Sequence, residues 1–295
     1  MTLSDELTQR LLHLIARIDA LLPDAPASDI DWSARAYLWR RQGYRGHLRP
    51  VRAAGKARLD DLLCIDEQRR QIDLNTRQFL AGLPANNVLL WGPRGTGKSS
   101  LIKALLNTYC DRGLRLVEVE REHLTDIPAI LDCIEGRPER FILYCDDLSF
   151  EARDSGYKAL KVLLDGSVHA PPENVLVYAT SNRRHLLPER AADNLDAQFI
   201  EGELHQSEAV EEKISLSERF GVWLAFHPFS QEEYLRIVAH WLERLGVGDA
   251  GRRSAEREAL QWALLHGSRS GRSAWQFAKD WAGRTSLAHD RNRES

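Results

Sequence analysis

The sequence predicts a three-layer α/β domain, a parallel sheet covered by helices on both faces, followed by a small helical domain. Three observations carry that reading. Five apolar runs of strand length alternate with helical segments or long connections, the pattern of a buried parallel sheet. A glycine-rich loop follows the first of these runs and opens a helix. Beyond Ser230 the strand pattern stops and only helical periodicity continues.

Taken in order, Met1 to Pro23 carries Asp5, Glu6, Arg10, Arg17 and Asp19 inside an apolar pattern, so it reads as an amphipathic helix and not as a signal peptide. Ser33 to Leu59 has no acidic residue and a local charge of +8, in a chain whose net charge is −3. Tyr37, Trp39 and Tyr44 interleave with those charges. Two readings of this basic arm stay open: a strip facing nucleic acid, or an exposed arm that packs its aromatics on its own domain or a neighbour. The five strand-like runs are Val88 to Trp91, Leu114 to Val119, Phe141 to Cys145, Asn174 to Ala179 and Val222 to Phe226. Ser230 and Glu233 then form an S-x-x-E capping box before a helix with Tyr234, Ile237, Val238 and Trp241 on one face, and two further helices are expected around Arg257 to Leu265 and Arg272 to Trp281. The resulting division is an N-terminal helix and basic arm over 1–60, an αβα domain over 61–228 and a helical domain over 229–290.

Composition narrows the class. With 295 residues, 43% hydrophobic and 28% charged, the chain is long enough for about two packed domains. The near-balance of charge excludes a wholly basic nucleic-acid coat. No apolar run reaches the roughly 18 residues of a membrane span. Cys64, Cys110, Cys133 and Cys145 have no C-x-x-C spacing and read as reduced thiols, which points to the cytoplasm. Of the 40 basic residues 33 are Arg and only 7 are Lys, so each lysine is informative.

One of those lysines lies in Gly92-Pro93-Arg94-Gly95-Thr96-Gly97-Lys98-Ser99, which fits G-x-x-x-x-G-K-[ST]. The chain's own residue usage gives roughly 0.003 chance matches, so the loop is read as a phosphate site. Its glycines let several backbone N–H groups face the same phosphates, and the helix N-terminus, continuing through Ser100, adds partial positive charge. Lys98 is expected on the β- and γ-phosphates of ATP and Ser99 on Mg²⁺. The run ending at Cys145 delivers Asp146 and Asp147 at a strand tip; Asp146 is assigned to the metal through its water shell and Asp147 to polarising the attacking water. Asn182 follows the next strand, with an amide suited to the γ-phosphate or the water beside it.

The ordered set of phosphate loop, acid-tipped strand, strand-end Asn182, the step Arg219-Phe220-Gly221 and a helical domain with an arginine resembles the AAA+ ATPases over about 220 residues, from near Leu63 to near Trp281. Within that superfamily the whole chain resembles an uncharacterised bacterial family of AAA+ ATP-binding proteins with a domain of unknown function, on Leu63-Cys64-Ile65-Asp66-Glu67-Gln68 and Cys145-Asp146-Asp147-Leu148-Ser149-Phe150. The resemblance implies a P-loop core with a five-stranded parallel sheet and a helical lid. It implies that Arg219 is an arginine finger for a neighbouring protomer's γ-phosphate. It also implies that Arg272, preferred over Arg269, is the lid arginine of the same subunit, and that Leu63 to Ile65, with Ile65 in the site, lie against adenine. The same likeness implies a nucleotide-dependent homo-oligomer; the complete site motivates an unidentified protein client, with nucleic acid possible through the basic arm over 33–59.

Two departures qualify the expected activity. The second acid is Asp147 where the superfamily usually has glutamate, one methylene longer, and a displacement of about an ångström can cost ~10²-fold in rate. Slow hydrolysis is therefore expected, with a nucleotide-gated nucleic-acid switch or helicase-loader-like protein as the alternative. The segment Glu120 to Pro138 has no aromatic residue followed by glycine, so threading of polypeptide through a pore loses support. The acidic stretch Glu189 to Glu218 either faces a neighbour's basic arm or is a solvated insertion.

Overall fold

A computed structural model describes residues 30–43, 45–51, 55–150, 155–165, 172–183, 186, 198–200, 203–205, 216 and 218–293. The N-terminal helix expected over Met1 to Pro23, Tyr44, Arg52, Arg184 and most of the acidic stretch lie outside the described residues.

Seven strands form the main sheet, in the order β2-β1-β4-β5-β6-β3-β9. They are β1 (Ala36–Gln42), β2 (Arg45–Val51), β3 (Val88–Trp91), β4 (Leu114–Glu118), β5 (Arg140–Cys145), β6 (Val175–Ser181) and β9 (Val222–Ala225). A separate hairpin pairs β7 (Gln198–Ile200) with β8 (Glu203–His205). All neighbours in the main sheet are parallel except β1 and β2. Around the sheet are α1 (Asp66–Leu80), α2 (Lys98–Tyr109), α3 (Ile127–Ile134) and α4 (Ser155–Asp165), and behind it α5 (Gln231–Arg244), α6 (Asp249–Leu265) and α7 (Gly271–Arg293).

Strand alternation builds the three layers. Val88 and Leu90 face one cluster with Ile72 and Phe79 of α1 and Leu101 and Leu105 of α2. Leu89, between them, faces the other with Ile130 of α3 and Leu160 of α4. Helix α1 is pinned by a buried polar contact: the Tyr178 hydroxyl on β6 meets Asn75 Nδ2 at 3.0 Å and Thr76 Oγ1 at 2.9 Å, and burial pushes its pKa up to about 12.

The expectation of five strands is corrected to seven, because the basic arm is a β-hairpin. It joins the sheet through β1 beside β4, with Tyr37 opposite Val117. The two-residue step at 43–44 between Gln42 and Arg45 was its sequence signal, overshadowed by the charge. Tyr37 and Trp39 are buried, not offered as stacking surfaces, and Trp39 Nε1 donates to Asp126 Oδ2 at 3.0 Å. Gly46 is required here, since a Cβ would lie 1.9 Å from the Trp39 ring. Part of the arm's charge is met within the chain: Arg40 pairs with Glu120 at 2.7 Å, and Arg35 and Arg41 lie 3.8 Å from Asp111 and Asp126. Tyr37 and Trp39 therefore pack on their own domain.

The C-terminal helices form as expected but run longer. The capping box closes at both ends, Glu233 N donating to Ser230 Oγ at 3.2 Å and Ser230 N to Glu233 Oε2 at 2.8 Å. Ala255, Ala259 and Ala263 make a small-residue stripe on α6 that lets the helices pack against Phe277 and Trp281 of α7. The four cysteines are free thiols. Among the described residues no helix is long and apolar enough to cross a membrane.

Candidate functional site

The site collects at the C-terminal tips of adjacent parallel strands, where an open α/β sheet leaves a crevice. Strand β3 lies between β6 and β9, so its tip and that of β6 emerge side by side, Trp91 opposite Ser181. The loop after β3 needs glycine at two places for distinct reasons. Gly92 has φ +138 and a Cβ would sit 2.1 Å from the Phe226 carbonyl oxygen; Gly95 has φ +80 and a Cβ would press on Ser270 of the helical domain at 2.8 Å. Helix α2 begins at Lys98 with Gly97 as N-cap and no side chain capping it, so its first N–H groups remain for an anion.

Lys98 is 6% exposed, and its ammonium donates to the carbonyls of Gly92 at 2.7 Å and Pro93 at 2.8 Å and to Asn182 Oδ1 at 3.3 Å. Burial lowers its pKa, opposed by the charges of Asp146 and Asp147. Ser99 Oγ donates to Asp146 Oδ1 at 2.8 Å, and Thr180 Oγ1 donates to the same oxygen at 2.5 Å. Burial alone would raise the Asp146 pKa, but the hydroxyls of Thr180, Tyr144 and Ser99 around it, with the charge of Lys103, hold it below the ordinary value. Hydroxyl and carboxylate oxygens are hard donors, so Ser99 and Asp146 suit Mg²⁺. Asp147 stands at φ +52, its N–H donating to Thr180 Oγ1 at 2.8 Å. Its carboxylate meets Arg94 and Asn182.

These groups line the polar end of a cavity of about 570 Å³, within the size of small-molecule sites. Ser100 also faces it. Its apolar end brings Leu63 and Ile65 against Ile237, Trp241 and Trp275 of the helical domain. Arg272 lines the cavity, and the N–H of Gly271 beside it donates to the Gly95 carbonyl at 2.9 Å, joining that domain to the phosphate loop. Arg269 is exposed and outside the lining. Arg219 is also outside it: it sits in the turn before β9 and pairs with Asp165 at the end of α4.

Several contributors escape sequence reasoning. Trp275 on α7 lines the cavity and meets Trp241 with ring centroids 4.6 Å apart. Asp61, 8% exposed, lines the cavity and takes His240 Nε2 at 3.0 Å and Arg244 Nε at 3.3 Å from α5. The i, i+4 spacing of His240 and Arg244 was the available signal.

The phosphate loop after β3, the acid-tipped strand β5 one strand away across β6, and the helical domain give the fold of the AAA+ P-loop proteins, with β1 and β2 added at one edge of its five parallel strands. The chain belongs to the family described as protein of unknown function (DUF815), whose model matches residues 32–285. No curated protein matches it by sequence. Among solved structures, it is similar to the FIGL-1 AAA domain in complex with ADP, with TM-score 0.50 and 17% identity over 76% of this chain and 71% of that one. The Holliday junction branch migration motor RuvB of Thermotoga maritima aligns with TM-score 0.47 and 18% identity over 77% of this chain. A DNA replication initiation factor aligns with TM-score 0.46 and 14% identity, covering 81% and 68%. The chain spans 64% of the length of the RuvB chain it matches.

Proposed function

We propose that the protein is an ATPase that binds ATP with Mg²⁺, hydrolyses it slowly, and uses the cycle to remodel or load a protein client. The observation that carries this reading is the convergence of Lys98, Asn182, Asp146 and Asp147 on one end of a cavity whose other end is apolar and aromatic. The N–H groups at the start of α2 bind the phosphates, and Lys98 exchanges its loop carbonyls for the β- and γ-phosphates. Ser99 and Asp146 hold the ion, which when bound neutralises charge developing on the phosphates. Asp147 and Asn182 orient the attacking water, and Arg272 contacts the nucleotide from the lid. Leu63, Ile65, Trp241 and Trp275 enclose the base.

Arg219 acts in trans in this reading. It is not among the residues that line its own chain's cavity, so in this reading it completes a site on a second copy, where an added arginine is worth ~10³ or more in rate. The Asp165 pair is one contact it would leave on assembly. The test is phosphate release with ATP and Mg²⁺ across a range of protein concentrations. Specific activity should rise with concentration, and Arg219→Ala should lose that rise while still binding ATP. Turnover independent of concentration and unchanged in Arg219→Ala sinks the assembly step, and absence of ATP binding sinks the whole reading.

A further inference from the structure

The third residue of the phosphate loop is Arg94, whose side chain is 75% exposed and yet is turned back onto the site. Its guanidinium NH2 donates to Asp147 Oδ2 at 3.1 Å. The other carboxylate oxygen accepts from Asn182 Nδ2, and Asn182 Oδ1 in turn accepts from Lys98 at 3.3 Å. With the Asp147 N–H held on Thr180 at 2.8 Å, backbone and both carboxylate oxygens of this residue are anchored. An exposed ion pair contributes little to folding, so a loop arginine spent on a strand-tip aspartate points to geometry as its use.

We propose that Arg94 is a positioning residue that fixes Asp147 relative to the γ-phosphate, an inference that rests on the ATPase reading and deepens it. Asp147 is one methylene shorter than the glutamate usual at this place. Its reach is therefore set by the backbone, at φ +52, and by its neighbours. Guanidinium presents five N–H donors in a rigid fork, so one edge can hold the carboxylate while the others remain for an anion in the loop. Arg94 thereby ties the water-orienting acid to the same loop that cradles the phosphates, and the two keep one spacing as the site opens and closes. Asn182 holds the second oxygen in the same way and links it to Lys98.

The test is a double-mutant cycle on hydrolysis, followed in single turnover with protein in excess so that slow variants are still read. Arg94→Ala should lower the rate about 10²-fold, the loss expected for a misplaced reacting group, with a smaller change in KM for ATP at steady state. Asp147→Asn should lower it at least as far, and the double variant should be no slower than Asp147→Asn alone. Arg94→Lys should recover part of the loss, since an ammonium offers charge without the fork. Losses that multiply in the double variant, or an unchanged rate in Arg94→Ala, overturn the proposal and leave the ATPase reading standing. A wild-type protein that binds ATP but never turns it over overturns both.

Discussion

Truncating Asp61 to alanine should loosen the helical lid, and the cost can be worked from its contacts. The carboxylate is 8% exposed and receives His240 Nε2 at 3.0 Å, Arg244 Nε at 3.3 Å and Arg244 NH2 at 3.4 Å. Hydrogen bonds to a charged group are worth roughly 1.5–3 kcal/mol when buried. The Arg244 side chain is 45% exposed and regains water once released, which brings its share toward the ~0–1 kcal/mol of a surface pair. His240, 20% exposed, regains less, and removing the carboxylate also relieves its own desolvation. The balance is a loss of about 2 kcal/mol, or roughly 3 °C in Tm for a chain of this size. Thermal unfolding measures it, and Trp241, whose ring centroid is 5.2 Å from that of His240, supplies a fluorescence signal from the same place. Asp61→Asn should lose about half as much, because the amide still accepts from the imidazole. A melting temperature within about 1 °C of wild type in Asp61→Ala, or an Arg244→Ala variant as damaged as Asp61→Ala, would refute this account.

Three further outcomes are expected. Tyr178→Phe should cost only about 1–2 kcal/mol in denaturant unfolding, because Asn75 keeps the Asn86 carbonyl at 2.9 Å and Thr76 keeps the Ile72 carbonyl at 2.7 Å. Gly95→Ala should cost ~1–2 kcal/mol from backbone strain alone and should also weaken ATP binding by calorimetry, since its Cβ meets Ser270 at 2.8 Å. Glu118→Gln should raise Tm at pH 7.5 and lose that gain near pH 4. Burial, with Asp146 and Glu120 adding to it and Lys103 opposing, raises the Glu118 pKa. The folded chain therefore holds that proton more tightly than the unfolded one, and stability falls as pH climbs from the ordinary glutamate range through the raised value. Removing the charge restores what is lost above that window.

The parts of this molecule legible in sequence are those in which short-range rules and burial agree. Val88 to Trp91 followed by Gly92 and Lys98 declares a strand, a turn and a helix start within a dozen residues, and Ser230 with Glu233 declares the first lid helix. The β1–β2 hairpin was obscured because its exposed arginines dominate the composition of a segment whose alternate residues, Tyr37 and Trp39, are core. The contacts between Arg94 and Asp147, and between Asp61 and α5, join residues 53 and more than 170 positions apart. Only the register of parallel strands and the docking of the lid bring them together, and neither is written in local periodicity.

The bond between the Gly271 N–H and the Gly95 carbonyl gives α7 a mechanical character. That helix has 23 residues and is about 34 Å long, tied at one end to the glycine-rich loop after β3. A tilt of about 10° at that anchor sweeps its far end through roughly 6 Å. On the ATPase reading proposed above, a small rotation at the phosphate loop would therefore be amplified severalfold at the far end of the helix.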